Sequence, residues 1–214
     1  NNTKSRRIIF PQNIRYIIRQ EIKMSIEKVK KHFEKYGIEN RILEFDVSSA
    51  TVELAAAALG CLPEKIAKTL SFSVADTPIL IVAAGDAKVD NTKFKSKFGV
   101  KAKMLPADTV ETLIGHSVGG VCPFGINNGV RVFLDESLKR FETVFPACGS
   151  GNSAIELSIP ELEKYSGYEE WIDVCKGWTS EQNCSFFKHT HRIYTLYSKS
   201  LKTYNYINFQ KGLI

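Results

Sequence analysis

Lys68-Thr-Leu-Ser-Phe-Ser-Val74 alternates apolar and polar side chains, and after Asp76-Thr-Pro78 the chain runs into Ile79-Leu-Ile-Val-Ala-Ala84, which has no polar side chain. Alternation puts Leu70, Phe72 and Val74 on one face of a strand and Thr69, Ser71 and Ser73 on the other, whereas an unbroken apolar run marks a strand covered on both faces. Asp76, Thr77 and Pro78 supply the turn between them, and Gly85-Asp86 ends the pair. The reading is a β-hairpin in the middle of a sheet.

Working outward, the chain alternates helical and extended signals. Upstream, Ile26, Val29 and Phe33 recur on one helical face until Gly37, which predicts a helix over 25–36. Residues 1–23 show no clean period, and Met24-Ser25 reads as the natural start, with 1–23 an extension outside the fold. Ile42 to Phe45 is a short strand, and a hydroxyl from Ser48-Ser49-Ala50-Thr51 caps a helix whose face is Val52, Ala55, Ala56 and Leu59, ending at Gly60. Pro63 opens a helical turn, Glu64 to Ile66. Downstream, Asn91 to Phe98 is helical, and the spacing of Asp108-Thr-Val-Glu111 predicts a capping box opening a helix from Thr109 to Leu113 or Ile114. Strands are expected at Val130 to Leu134, Thr143 to Pro146 and Ala154 to Ile159, then a helix from Pro160 continued by Tyr168 to Lys176. Beyond Trp178 the chain is rich in Lys, Asn, Tyr, Ser and Thr without period, so 24–176 is expected to be one domain and 177–214 a poorly structured tail.

With 214 residues, 43% of them hydrophobic, the chain can bury a core of one domain. Its formal charge of +6 is uneven: 1–23 carries +5, 177–214 carries +4, and 24–176 holds 18 Lys/Arg against 21 Asp/Glu, net −3. Overall basicity is therefore no argument for nucleic acid. The five cysteines, Cys61, Cys122, Cys148, Cys175 and Cys184, are odd in number and contain no C-x-x-C pair, which points to reduced thiols rather than a disulfide framework or zinc site. No window approaches the ~18 apolar residues of a membrane span. A cytoplasmic protein is expected.

The chemistry is concentrated in loops. Ser117-Val-Gly-Gly-Val-Cys-Pro-Phe-Gly-Ile-Asn-Asn-Gly129 sets four glycines and a proline in one connection. This composition describes either a stiff loop presenting backbone N–H groups to a ligand carbonyl or phosphate, or a glycine-rich surface turn. Lys68 opens the alternating strand, mounted for a ligand or simply a strand-end charge. Lys93, Lys95, Lys97, Lys101 and Lys103 are the only basic concentration within 24–176, a solvated face or a phosphate contact. Cys122 with His116 would make a thiol nucleophile only if the fold pairs them, and a lone loop cysteine is more often a packing residue. His32, His116, His189 and His191 give no metal spacing, there is no G-x-x-x-x-G-K-[ST] loop, and Gly115 to Gly120 does not follow a strand. No cofactor is expected.

Ile66-Ala-Lys-Thr-Leu70, Gly119-Gly-Val-Cys-Pro-Phe-Gly125 and Gly149-Ser-Gly-Asn-Ser-Ala-Ile-Glu-Leu157, in this order, resemble the YbaK-type aminoacyl-tRNA deacylases, relatives of the editing insertion of bacterial prolyl-tRNA synthetases. Thr51-Val-Glu-Leu-Ala-Ala-Ala-Ala-Leu-Gly60 is similar to the family's second helix, so the resemblance spans about 24–176. It implies an α+β fold, a mixed sheet curled into a barrel-like core with surrounding helices. It also implies hydrolysis of the ester between a wrong amino acid and a tRNA 3′ end. By position, Lys68 matches the lysine associated with the tRNA terminus. Gly119, Gly120 and Pro123, with Val121 and Cys122 between them, match the loop that holds the aminoacyl carbonyl. Phe124 and Gly125 complete that motif on the substrate side, and Gly149, Ser150, Gly151 and Asn152 match the second pocket wall. Members that remove cysteine from prolyl-tRNA carry Arg-Gly where Gly151-Asn152 stands here, and a tyrosine where this chain has a residue near Leu43, which leaves the rejected amino acid open. The implied partners are the acceptor end of mischarged tRNA and a synthetase, with no membrane. The same cleft would equally serve a module that binds an aminoacyl group or nucleotide without turnover.

Overall fold

The structure, a computed structural model, describes residues 25–178. The expectations for 1–23, for a start at Met24 and for the tail after Trp178, with Cys184, His189 and His191, fall outside these residues. Helix α1 (25–34) turns Ile26, Val29 and Phe33 into the core and gives way to a turn at Gly37, as its spacing predicts. After the short strand β1 (Leu43–Glu44), the hydroxyl that caps α2 (Val52–Leu59) is that of Thr51, which accepts the Leu54 N–H at 3.3 Å, and Gly60 ends the helix in the left-handed conformation.

The hairpin is β2 (Ile66–Val74) and β3 (Thr77–Ala84), antiparallel from Ala67↔Ala84 to Val74↔Thr77. Its turn is tighter than expected: Ala75 and Asp76, both at positive φ, make it alone, and Thr77 and Pro78 already belong to β3. Pro78 is tolerated there because its partner Ser73 sends its N–H away to the Lys103 carbonyl, 2.9 Å, and the next strand pairs only from Ile79 onward. From Ile79 to Ala84 every residue is fully buried.

Beyond the hairpin come β4 (Lys88–Val89), α3 (Asn91–Phe98) and α4 (Ala107–Ile114), then β5 (Arg131–Asp135) and β6 (Thr143–Pro146). The last part holds β7 (Ser153–Ala154), β8 (Leu157–Ser158), α5 (Ile159–Ser166), β9 (Glu170–Ile172) and β10 (Cys175–Lys176). Six strands in the order β8-β6-β2-β3-β5-β9 form a mixed sheet that curls into a half-barrel, flanked by the two-stranded pairs β1-β7 and β4-β10. The α+β architecture with a barrel-like core is thus the observed one.

Three local expectations are corrected. Helix α4 begins at Ala107 after Pro106, whose carbonyl accepts from Thr109 and Val110; Asp108 is inside the first turn, complementing the helix dipole instead of capping. The expected strand Ala154 to Ile159 is split, because Ala154 pairs with Leu43 while Leu157 pairs with Val144, and no single straight segment serves both partners. Residues 168–176 do not continue α5: Gly167, left-handed, stops it, and Glu170–Ile172 extends the sheet parallel to β5. Buried Asp135 anchors this return, accepting the N–H groups of Ser137 and Val174, each at 3.0 Å.

Candidate functional site

The glycine loop starts where α4 ends. Gly115 takes a left-handed turn (φ 95°) that sends His116 into the core, and Asn127 pins the other foot, its backbone N–H donating to the Ile114 carbonyl (2.9 Å) and its side-chain amide to the Thr112 carbonyl (3.0 Å). Inside the loop the Gly120 N–H closes a turn onto the Ser117 carbonyl at 3.0 Å. Phe124 packs its ring 4.7 Å from that of Phe33 on α1. The loop is therefore held from below by core side chains, which leaves its upper backbone rigid.

That backbone meets the second loop. A Cβ on Gly120 would lie 2.5 Å from the Gly149 carbonyl carbon and the Ser150 nitrogen, and one on Gly119, at φ 90°, would lie 2.9 Å from the Ala50 Cβ. Gly151 approaches the same alanine, with a Cβ there 3.3 Å away. The strap before α2 fixes this junction: Ser49 donates to the Gly151 carbonyl at 2.6 Å, Phe45 to the Asn152 carbonyl at 2.8 Å, and the Asn152 amide back to the Phe45 carbonyl at 2.9 Å. Three segments, 45–51, 117–123 and 149–152, thus converge beside the first turn of α2. Among the described residues the N–H groups of Gly119, Val121 and Gly151 have no protein acceptor, which leaves them free to donate to an oxyanion or phosphate.

Lys68 stands on β2 opposite Ala83, and its ammonium donates to the carbonyls of Gly85 (2.9 Å) and Ala87. Burial lowers its pKa, against the opposing pull of nearby Cys175 and Asp86. Asp86, between the two accepting residues, is held by a two-pronged pair with Arg140 at 3.0 and 2.6 Å. Gly85 packs against Val52 and Pro63, so Lys68 connects to the glycine junction through the first turn of α2; its own bonds go to the 85–87 turn and to neither glycine loop.

Of the other predicted site residues, Gly119, Gly120, Gly149, Ser150, Gly151 and Asn152 are brought together, while Val121 is half-buried beside them. Cys122 and Phe124 are wholly buried and Gly125 abuts the Lys28 carbonyl of α1, so these three support the loop from beneath. The fold does pair Cys122 with His116, Sγ to Nδ1 at 3.6 Å. Burial pushes the thiol up to about 12 and the imidazole down to about 4, so both are neutral near pH 7 and no thiolate forms.

Ala50 and the strap were missed by the sequence reading, which took Ser48 to Thr51 only as a cap; small residues give no signal for a contact made by a distant loop. Of the five lysines, Lys93 pairs with Asp173 and Lys97 with Glu170, each at 2.7 Å, while Lys95 and Lys101 line an open depression. Among the described residues no three His, Cys, Asp or Glu side chains cluster to hold a metal, and no helix is long and apolar enough to cross a membrane. The four cysteines among them are free thiols.

The comparisons agree with this architecture. Residues 47–165 match the model of the aminoacyl-tRNA editing domain. The uncharacterized protein YwhH of Bacillus subtilis (strain 168) is 55% identical over 156 residues, covering 72% of this chain and 99% of YwhH. The proline--tRNA ligase of Streptococcus mutans is 24% identical over 161 residues, 71% of this chain but only 26% of the ligase. A crystal structure assigned provisionally as a trans-editing enzyme for prolyl tRNA synthetase superposes with a TM-score of 0.65 at 27% identity, over 72% of this chain and 98% of that one. A second, of a hypothetical protein, gives a TM-score of 0.60 at 28% identity, over 68% and 99%. With more than half of the chain matched by the family model and a near full-length relative at this identity, the chain belongs to the aminoacyl-tRNA editing domain family.

Proposed function

We propose that the protein is an aminoacyl-tRNA deacylase acting in trans, hydrolysing the ester that joins a wrong, small amino acid to a tRNA 3′ end. The observation that carries this reading is the junction of Gly119 and Gly120 with Ala50 and the Gly149 to Gly151 loop, where a Cβ on Gly119 or Gly120 would clash and the N–H groups of Gly119, Val121 and Gly151 stay without an acceptor. An aminoacyl ester is already activated, so orientation and charge stabilisation can carry most of the catalysis. The ester carbonyl oxygen would take the N–H groups of Gly119 and Val121. Water adds to the carbonyl carbon, the tetrahedral oxyanion collapses, and the ribose oxygen leaves with a proton from the attacking water. Each such donor is worth on the order of 10²–10³ in rate. Lys68 serves the terminal phosphate or ribose, either by exchanging the carbonyls of Gly85 and Ala87 for the substrate or by fixing the turn that carries them.

The rival reading is a module that holds an aminoacyl group or nucleotide without turnover. It draws support from Lys68 being engaged by its own backbone. A panel of mischarged tRNAs presented to wild type, Lys68→Ala and Cys122→Ser separates the readings. Release from at least one member, slowed in Lys68→Ala and retained in Cys122→Ser, is expected. Release from no member sinks the deacylase, and loss in a folded Cys122→Ser would restore a thiol mechanism.

A further inference from the structure

We propose that the outer face of α3, with the segment that follows it, is a second tRNA contact that grips the phosphate backbone away from the ester; this rests on the tRNA reading above. The lysines of α3 divide by side. Lys93 donates to Asp173 and to the Cys175 carbonyl, and Lys97 to Glu170, so that flank is neutralised by the β9–β10 return. Phe94 and Phe98 take the core side. What remains is an open depression of about 440 Å³ lined by Asn91, Thr92, Lys95, Ser96 and Lys101. Lys95, Lys101 and the nearby Lys103 are exposed, and among the described residues none has an acidic partner. Asp90, the acidic side chain at this end, is paired with Lys176 at 2.8 Å and accepts the Thr92 and Lys93 N–H groups.

Every side chain lining the depression ends in a cation, an amide or a hydroxyl; Val100 and Met104, exposed on the following segment, alternate with Lys101 and Lys103, and such cations interleaved with amide and hydroxyl donors around a concave surface fit a run of phosphodiesters. The segment is also firmly placed, since the Lys103 carbonyl accepts from Ser73 and Leu105 donates to the Ser71 carbonyl, both on β2. A grip here is therefore rigidly coupled to the strand that carries Lys68.

The test uses the full chain, an acceptor-stem RNA hairpin ending in single-stranded CCA, and mischarged tRNA. The triple variant Lys95→Gln/Lys101→Gln/Lys103→Gln is compared with wild type and with a charge-matched control, Lys31→Gln/Lys35→Gln/Lys164→Gln, on α1, the turn after it and α5. Expected is a fall of about 2–3 in the slope of log K against log salt for the first triple only, with KM for mischarged tRNA raised about tenfold and kcat unchanged. An unchanged slope in the triple, with wild type releasing amino acid, overturns the face and leaves the deacylase standing; it would hand the depression to a protein partner. The slope change without any release by wild type upholds the face while the deacylase falls. No binding of the hairpin by wild type overturns the face outright.

Discussion

At Gly120 the two loops touch backbone to backbone. Gly120→Ala forces a methyl to 2.5 Å from the main chain of Gly149 and Ser150, which no rotamer can relieve, so the loops must part. Deacylation should fall by about 10²-fold or more, as for loss of an oxyanion donor. Single-turnover release from mischarged tRNA measures it, and a variant folded by circular dichroism with wild-type release would remove the junction from the mechanism. His116 sets a pH dependence of stability. Its folded pKa of about 4 lies below the ordinary 6.5, so the unfolded chain takes up a proton in this window that the native state refuses. Stability is full above pH 6.5, declines as pH falls from 6.5 to 4 and levels below that, by about 3 kcal/mol. Urea unfolding at pH 7 and pH 4.5 should show the decline, and His116→Asn should flatten most of it. His32, whose pKa burial also lowers, contributes in the same direction. Asp90 and Glu161, both held down near 2 by cationic partners and hydrogen bonds, lose their contributions as pH falls from their ordinary values near 4 toward 2, so that Glu161 adds to the decline only at the acid edge of this window.

Helix α2 bears on both stability and the site. Its only side-chain cap is the Thr51 hydroxyl, and Ala50 just before it is the residue against which Gly119 and Gly151 lie. Thr51→Ala should cost about 1 kcal/mol, read as a lowered urea midpoint at constant m. Because fraying begins where the loops converge, turnover should fall more than stability alone predicts. An equal fall at saturating and subsaturating tRNA would mark loss of geometry rather than of binding. By contrast α5 has its N-terminal end doubly fixed, by a capping box of Ser158 and Glu161 and by the Arg41–Glu161 pair at 2.6 Å, and lies outside this coupling.

At the scale of the whole described domain, the hairpin should be the last part to open. Strand β3 is buried from Ile79 to Ala84 and paired on both edges, by β2 and β5, whereas β1-β7 and β4-β10 are two-residue ladders. Hydrogen exchange should find the amides of Ile79 to Ala84 slowest and those of Leu43, Glu44 and Lys88 fast; protection of β1 equal to that of β3 would contradict this ordering. That hairpin was legible from residues 68–84, because strand periodicity is local and a run such as Ile79 to Ala84 can satisfy itself only between two other strands. Helices α1 and α2 were legible for the same reason, through apolar spacing and a terminal glycine, with the α2 cap placed within Ser48 to Thr51; the Asp90 cap of α3 came only from the structure. The chain alone also supplied the glycine-rich loops as candidate ligand cradles, since their backbone freedom is written in residue type. Only the tertiary structure decided that β9 joins the sheet, that the strand after Asn152 breaks between two partners, that Cys122 lies beneath its loop, and that Lys68 is bound by the 85–87 turn. Each depends on a contact between residues far apart in sequence, and no local propensity encodes which distant group will fill a given hydrogen bond or cavity.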